Sequence, residues 1–209
     1  MLDKILAFVK GSPEATAAPA IRPPAPAAFR ERLEIVNGFP FPDWQALLDS
    51  VDALPEKRQA AACLEHERAW LLHLRDALGT AFELRESDTA LLLSSLEPRA
   101  AHAVLEYMGR TLKRIESMLR DIAQVPSWGK DILVVFDDQE SYYRYVSYYY
   151  PERGEFALSG GMHIGKGCGH FVAPRTDLQE IEPTIAHEMT HCCLAHLPLP
   201  TWLNEGVAV

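Results

Sequence analysis

The segment PTIAHEMTHCCLAHLPLPTWLNEGVAV, residues 183–209, decides how the rest of the chain is read. Within it His187, Glu188 and His191 form the pattern His-Glu-x-x-His. On an α-helix, residues four apart lie about 40° apart in azimuth, so both imidazoles leave one face and can share a metal ion. Glu188 falls about 100° round from His187, beside the outer positions of such an ion. Two neutral nitrogen donors suit Zn²⁺, and a third protein ligand would leave one position open for water. Pro183 fits the first turn of this helix, where a missing N–H costs nothing. Ile185, Met189 and Cys193 fall away from the histidines and are expected to face the core.

A third ligand has few candidates. A histidine six residues beyond His191 would complete one metalloprotease pattern, but that position is Leu197. His196 lies about 140° round from His191, on the far side of the helix. Glu205 is the better candidate. The run LPLP (197–200) breaks the helix and turns the chain, and Thr201 is expected to cap a second helix. Thirteen residues lie between His191 and Glu205, enough for a turn and a return to the metal.

HEMTH followed by LPLPTWLNEGVA resembles the gluzincin clan of zinc metallopeptidases, which includes the thermolysin-like and peptidase MA-like proteins. One bacterial branch carries His-Glu-x-x-His, a short spacer and Trp-Leu-x-Glu-Gly-x-Ala. The resemblance implies that His187, His191 and Glu205 bind Zn²⁺ and that Glu188 is the general base. It covers residues 81–209 and implies a peptide or protein substrate, hydrolysed by a metal-activated water. It also implies that a strand near GHFVAP (169–174) forms the sheet edge along which the substrate lies. In such proteins the glutamate-bearing helix continues, often to a histidine or tyrosine that stabilises the oxyanion. Here the sequence stops at Val209, so the expectation is a piece of a longer protein. The alternative reading is a non-catalytic module that keeps the fold and serves binding or assembly.

Upstream, the expected fold is α+β: a mixed β-sheet with long helices and the HExxH helix, preceded by a helical N-terminal region. AFELRES and TALLLSSL read as two strands with a turn near Ser87–Asp88. A long helix follows over 98–123, with a buried stripe of Val104, Leu105, Met108, Leu112, Ile115, Leu119 and Ile122. DILVVFDD (131–138) reads as a buried strand and QESYYRYVSYYY as a helix. On that helix Tyr142, Tyr145 and Tyr149 share a face, as core packing or as a groove wall. Two further strands are expected over 158–165 and 170–174, joined by the glycine-rich IGKGCG and flanked by His163 and His170. Residues 29–80 read as helical, with helices over 43–54 (Asp43 as cap) and 55–78 (Gly79 as stop). His66 and His73, on the second of these, have no ligand-spaced partner. Residues 11–28 are Pro/Ala-rich and read as a linker. Residues 1–10 form a short amphipathic segment suited to docking on a partner or a membrane surface, with Leu2, Ile5, Leu6 and Val9 on one face.

Bulk properties bound the function. The net charge of −9 argues against nucleic-acid binding, which needs clustered cations. No run is long enough to span a membrane. The four cysteines form no Cys-x-x-Cys pair, which argues against a four-thiolate zinc site. Their scatter suits a reducing compartment, so a cytoplasmic location is expected.

Overall fold

The computed structural model of the protein describes residues 18–21, 25–125, 129–151, 160–176 and 178–208, with backbone alone for 178–181. Two runs of branched apolar residues set its centre. Ala90–Ser94 (β5) and Asp131–Phe136 (β6) are buried along almost their whole length. Strands covered on both faces need apolar side chains on both faces, which is why these runs do not alternate. They pair in parallel, Leu91 opposite Ile132 and Leu93 opposite Val134. A parallel pair demands a long crossover, and helix α3 (Pro98–Leu119) provides it.

The six-stranded sheet is mixed, in the order β1-β4-β5-β6-β8-β7. Glu83–Glu86 (β4) runs antiparallel to β5, and Ala20–Ile21 (β1) antiparallel to β4. His170–Pro174 (β8) is parallel to β6, and Met162–Ile164 (β7) is antiparallel to β8. The fold is therefore α+β with a mixed sheet, as the sequence implies. The sheet edge is not where the resemblance placed it. β8 is covered on both sides, and β7 is the outermost strand among the described residues. The turn over residues 165–169 folds residues 162–164 back onto β8 and takes the edge one strand further out.

Alternate side chains leave opposite faces of a strand, and two core clusters follow. Leu91, Leu93, Ile132, Val134 and Phe136 join Trp70, Leu71 and Leu74 of α2 (Glu56–Leu78) and Tyr142 and Tyr145 of α4 (Gln139–Tyr149). Ala90, Leu92, Leu133 and Val135 join Val104, Leu105 and Met108 of α3 and Ile185, Met189 and Cys193 of α5 (Leu178–Leu194). α5 is thus bolted through its apolar face to α3. Residues 29–80 and the sheet share one core, so the expected boundary at 80/81 marks no change of body. The three tyrosines Tyr142, Tyr145 and Tyr149 are core residues.

Several local expectations shift. The helical region contains a hairpin, Leu33–Val36 (β2) with Phe39–Pro42 (β3). Its turn is Asn37–Gly38, at φ 53° and 85°, the positive angles a type I′ hairpin requires. Asp43 caps α1 (Trp44–Asp52), accepting from the Ala46 N–H at 3.1 Å. α3 stops at Leu119 because Arg120 takes φ 38°, which leaves Ile122 55% exposed and outside the buried stripe. The described end of the Pro/Ala-rich linker packs on the fold: Ala18 is buried, and Arg85 Nη1 donates to its carbonyl at 2.7 Å. The amphipathic segment 1–10 lies outside the described residues. No helix among the described residues is long and apolar enough to cross a membrane.

Candidate metal centre

α5 carries the His-Glu-x-x-His pattern and begins at Leu178, earlier than Pro183 suggested. Pro183 therefore sits inside the helix, because LQEIE upstream is built of good helix formers and extends it. The Tyr107 hydroxyl of α3 donates to the Glu182 carbonyl at 2.8 Å and ties the two helices beside the proline. Beyond Leu194, Pro198 and Pro200 break the helix, and α6 (Thr201–Val207) follows. Thr201 does not cap it. Pro200 occupies the cap position and no side chain bonds there.

His187, His191 and Glu205 come together. The two Nε2 atoms are 2.9 Å apart. Glu205 Oε2 is 3.4 Å from His187 Nε2, and Oε1 is 3.6 Å from His191 Nε2. Bonds of about 2.0–2.1 Å around one tetrahedral zinc place its donor atoms about 3.3 Å apart. The three separations scatter about that value, two of them to different oxygens of Glu205, so two imidazole nitrogens and one carboxylate lie close enough together to hold a metal ion.

The backbone fixes the tautomer of His187. His187 Nδ1 faces the Ala208 carbonyl at 3.2 Å. That carbonyl can only accept, so the proton sits on Nδ1 and Nε2 carries a lone pair, which faces His191 Nε2 2.9 Å away. His191 Nδ1 is buried with no hydrogen-bond partner among the described residues. Both Nε2 atoms thus face the carboxylate.

Glu188 lies beside this cluster. Burial pushes its carboxyl above the usual range, while His187, His191 and a hydrogen bond from the His163 backbone N–H oppose the rise. His163 is the middle residue of β7, so the outermost strand is fastened to the candidate base. The His163 imidazole is pushed down to about 4 by burial and by His191 nearby.

The other histidines divide plainly. His170 is fully buried on the opposite sheet face, with Nε2 2.8 Å from the Tyr145 hydroxyl and Nδ1 2.7 Å from the Cys168 carbonyl. His66 and His73 flank Phe29, and His196 is solvent-exposed. The Ala208 carbonyl and the His163 N–H were not foreseeable. Both are backbone groups, which any residue type supplies. Comparison with protein-family models, with curated proteins and with solved structures finds no match to this chain.

Proposed function

We propose that the protein is a zinc-dependent peptidase of the gluzincin type. The observation that carries the reading is the convergence of His187, His191 and Glu205 with Glu188 next to them. The three ligands would hold the ion, and Lewis-acid polarisation of a substrate carbonyl with acidification of a water is the chemistry zinc supplies there.

The chain's own groups do the rest. Glu188 takes a proton from the attacking water and passes it to the leaving amine. The His163 N–H holds the Glu188 carboxylate in place, and the Ala208 carbonyl keeps the His187 ring in one orientation and one tautomer. An extended peptide would add to β7 through main-chain hydrogen bonds, beside Glu188. The four cysteines are free thiols, in keeping with a cytoplasmic setting.

Glu188→Gln tests this. The variant should keep its zinc by elemental analysis yet lose cleavage of an unstructured protein by roughly 10²- to 10⁴-fold. His191→Ala should lose the zinc. A zinc-loaded wild type that cleaves no better than Glu188→Gln would refute the peptidase reading.

A further inference from the structure

A cavity of about 390 Å³ lies beside the candidate metal centre. His163, on the outermost strand β7, and Cys192, the neighbour of His191 on α5, both line it. Leu112 of α3 and Phe171 of β8 give it apolar walls, and two carboxyl groups, Asp131 and Glu67, face it as well. Sites for small ligands run from about 300 to 1,000 Å³, so this one has room for a single long side chain.

Asp131 is the first residue of β6. Alternation puts it on the sheet face of Leu133 and Val135, the face that α5 covers. Its charge is felt there: burial first, and then Asp131, push the Cys192 and Cys193 thiols up. The half-buried Asp131 carboxyl has no hydrogen bond and no ion pair among the described residues, and burial alone raises it to about 6. Glu67 reaches the cavity from α2, on the other side of the sheet, and is 3% exposed. It accepts the Lys130 backbone N–H at 3.1 Å, with the Cys63 and Cys168 thiols at 3.8 and 3.7 Å, but pairs with no cation among the described residues. The cations nearby are committed: Lys130 Nζ is 2.6 Å from Glu86 Oε1, and Arg68 also pairs with Glu86. The cavity therefore holds negative charge that no side chain of the fold neutralises.

We propose that this cavity binds a long basic side chain, arginine or lysine, carried by the peptide that the metal centre cleaves. The peptide rests on the peptidase reading; the basic side chain rests on the cavity alone. A peptide added to β7 lies along the strand that carries His163, with the cavity within reach of one of its side chains. The methylene stem packs on Leu112 and Phe171, and the charged head meets Asp131. A guanidinium can bond that carboxylate through two parallel N–H groups. An acidic side chain is repelled, and an uncharged one of the same length leaves Asp131 covered and unpaired. An unpaired carboxylate in this place costs stability, as groups kept for binding often do.

Two probes test this without any cleavage: N-acetyl-arginine methylamide and N-acetyl-norleucine methylamide. Each is titrated into the metal-free full chain at about pH 8, where Asp131 is ionised, and binding is followed by saturation-transfer NMR. The arginine probe should bind roughly tenfold or more tighter than the norleucine probe. Asp131→Asn should erase that difference; it removes an unfavourable charge, so its loss of binding cannot be put down to unfolding. With zinc added, cleavage of a peptide mixture should fall beside arginine and lysine, and Asp131→Asn should lose the bias. Discrimination between the probes with no cleavage of any peptide would refute the peptidase reading and still support the basic site. Equal binding of the two probes, discrimination that survives Asp131→Asn, or cleavage with no bias towards basic residues would overturn the proposal.

Discussion

Zinc should act as a clamp on α6, and hydrogen exchange can read the clamp. None of the residues Thr201–Val207 is buried, and a helix this short has little stability of its own. In the metal-free chain α6 is fastened near the site by the His187–Ala208 hydrogen bond, worth about 1 kcal/mol. The two imidazole–carboxylate contacts are half exposed and add at most about 1 kcal/mol together. Opening α6 therefore costs on the order of 2 kcal/mol, a protection of only about 30-fold. With zinc, the closed state offers three donors and the open state two. Even a group that merely supports a ligand changes metal affinity about 10- to 100-fold, so a direct ligand sets at least that ratio between the two states. Ligand can shift an equilibrium only by its differential affinity. Amides of residues 201–208 should then exchange at least about 10- to 100-fold more slowly in zinc than in chelator, about 1.4–2.7 kcal/mol. Amides of β5 and β6 should change little. Exchange is followed by mass spectrometry, with Glu205→Ala as control, in which the slowing should vanish. Equal exchange in zinc and chelator, or slowing that persists in Glu205→Ala, would refute the assignment of Glu205 as a ligand.

Two predictions concern the scaffold. Burial raises the Asp131 carboxyl to about 6, above its unfolded value of about 3.9, so its ionisation opposes folding and stability falls as pH rises through that window. Asp131→Asn should stabilise the protein by on the order of 1–3 kcal/mol at about pH 8 and by nothing at about pH 3.5, by denaturant titration; an equal gain at both pH values would contradict this. Trp70 is fully buried and its Nε1 donates to the Pro40 carbonyl at 3.0 Å. Trp70→Phe strands that carbonyl and should cost about 1–3 kcal/mol, seen as a lower denaturant midpoint at unchanged slope; an unaltered midpoint would show the bond to be idle.

Much of the architecture is legible in the sequence because its signals are local. DILVVF is too apolar along both faces to be anything but a covered strand, and it is β6. Gly79 takes φ +114° and ends α2, as its position implies. Asn37–Gly38 is a strong hairpin signal, yet the prolines at 40 and 42 mask the strand beside it. Misplacement of the edge strand has a different cause. Pairing of residues 162–164 with β8 is a long-range register, and the glycine-rich turn between them has no period to read. The site divides in the same way. His187 and His191 follow from helical spacing alone, whereas Glu205 depends on a turn whose angle the run LPLP does not specify.

The centre is built with unequal stiffness, and one sequence period explains it. Ile185, Met189 and Cys193 repeat every four residues, and so do His187 and His191, offset by two. An offset of two residues turns a helix by about 200°. The packing face and the ligand face of α5 are thereby opposed, and burying the first against α3 aims the second outward. Two donors are thus set by the core, at the same energetic cost whether or not a metal is bound. α6 has no such anchor: none of its residues is buried, and Trp202 is 74% exposed. The third donor rides on an element whose docking leans on the ligand cluster itself. On the proposed reading such a site would hold two rigid nitrogens and let an ion recruit the carboxylate, so that metal binding and the closing of α6 would be one equilibrium.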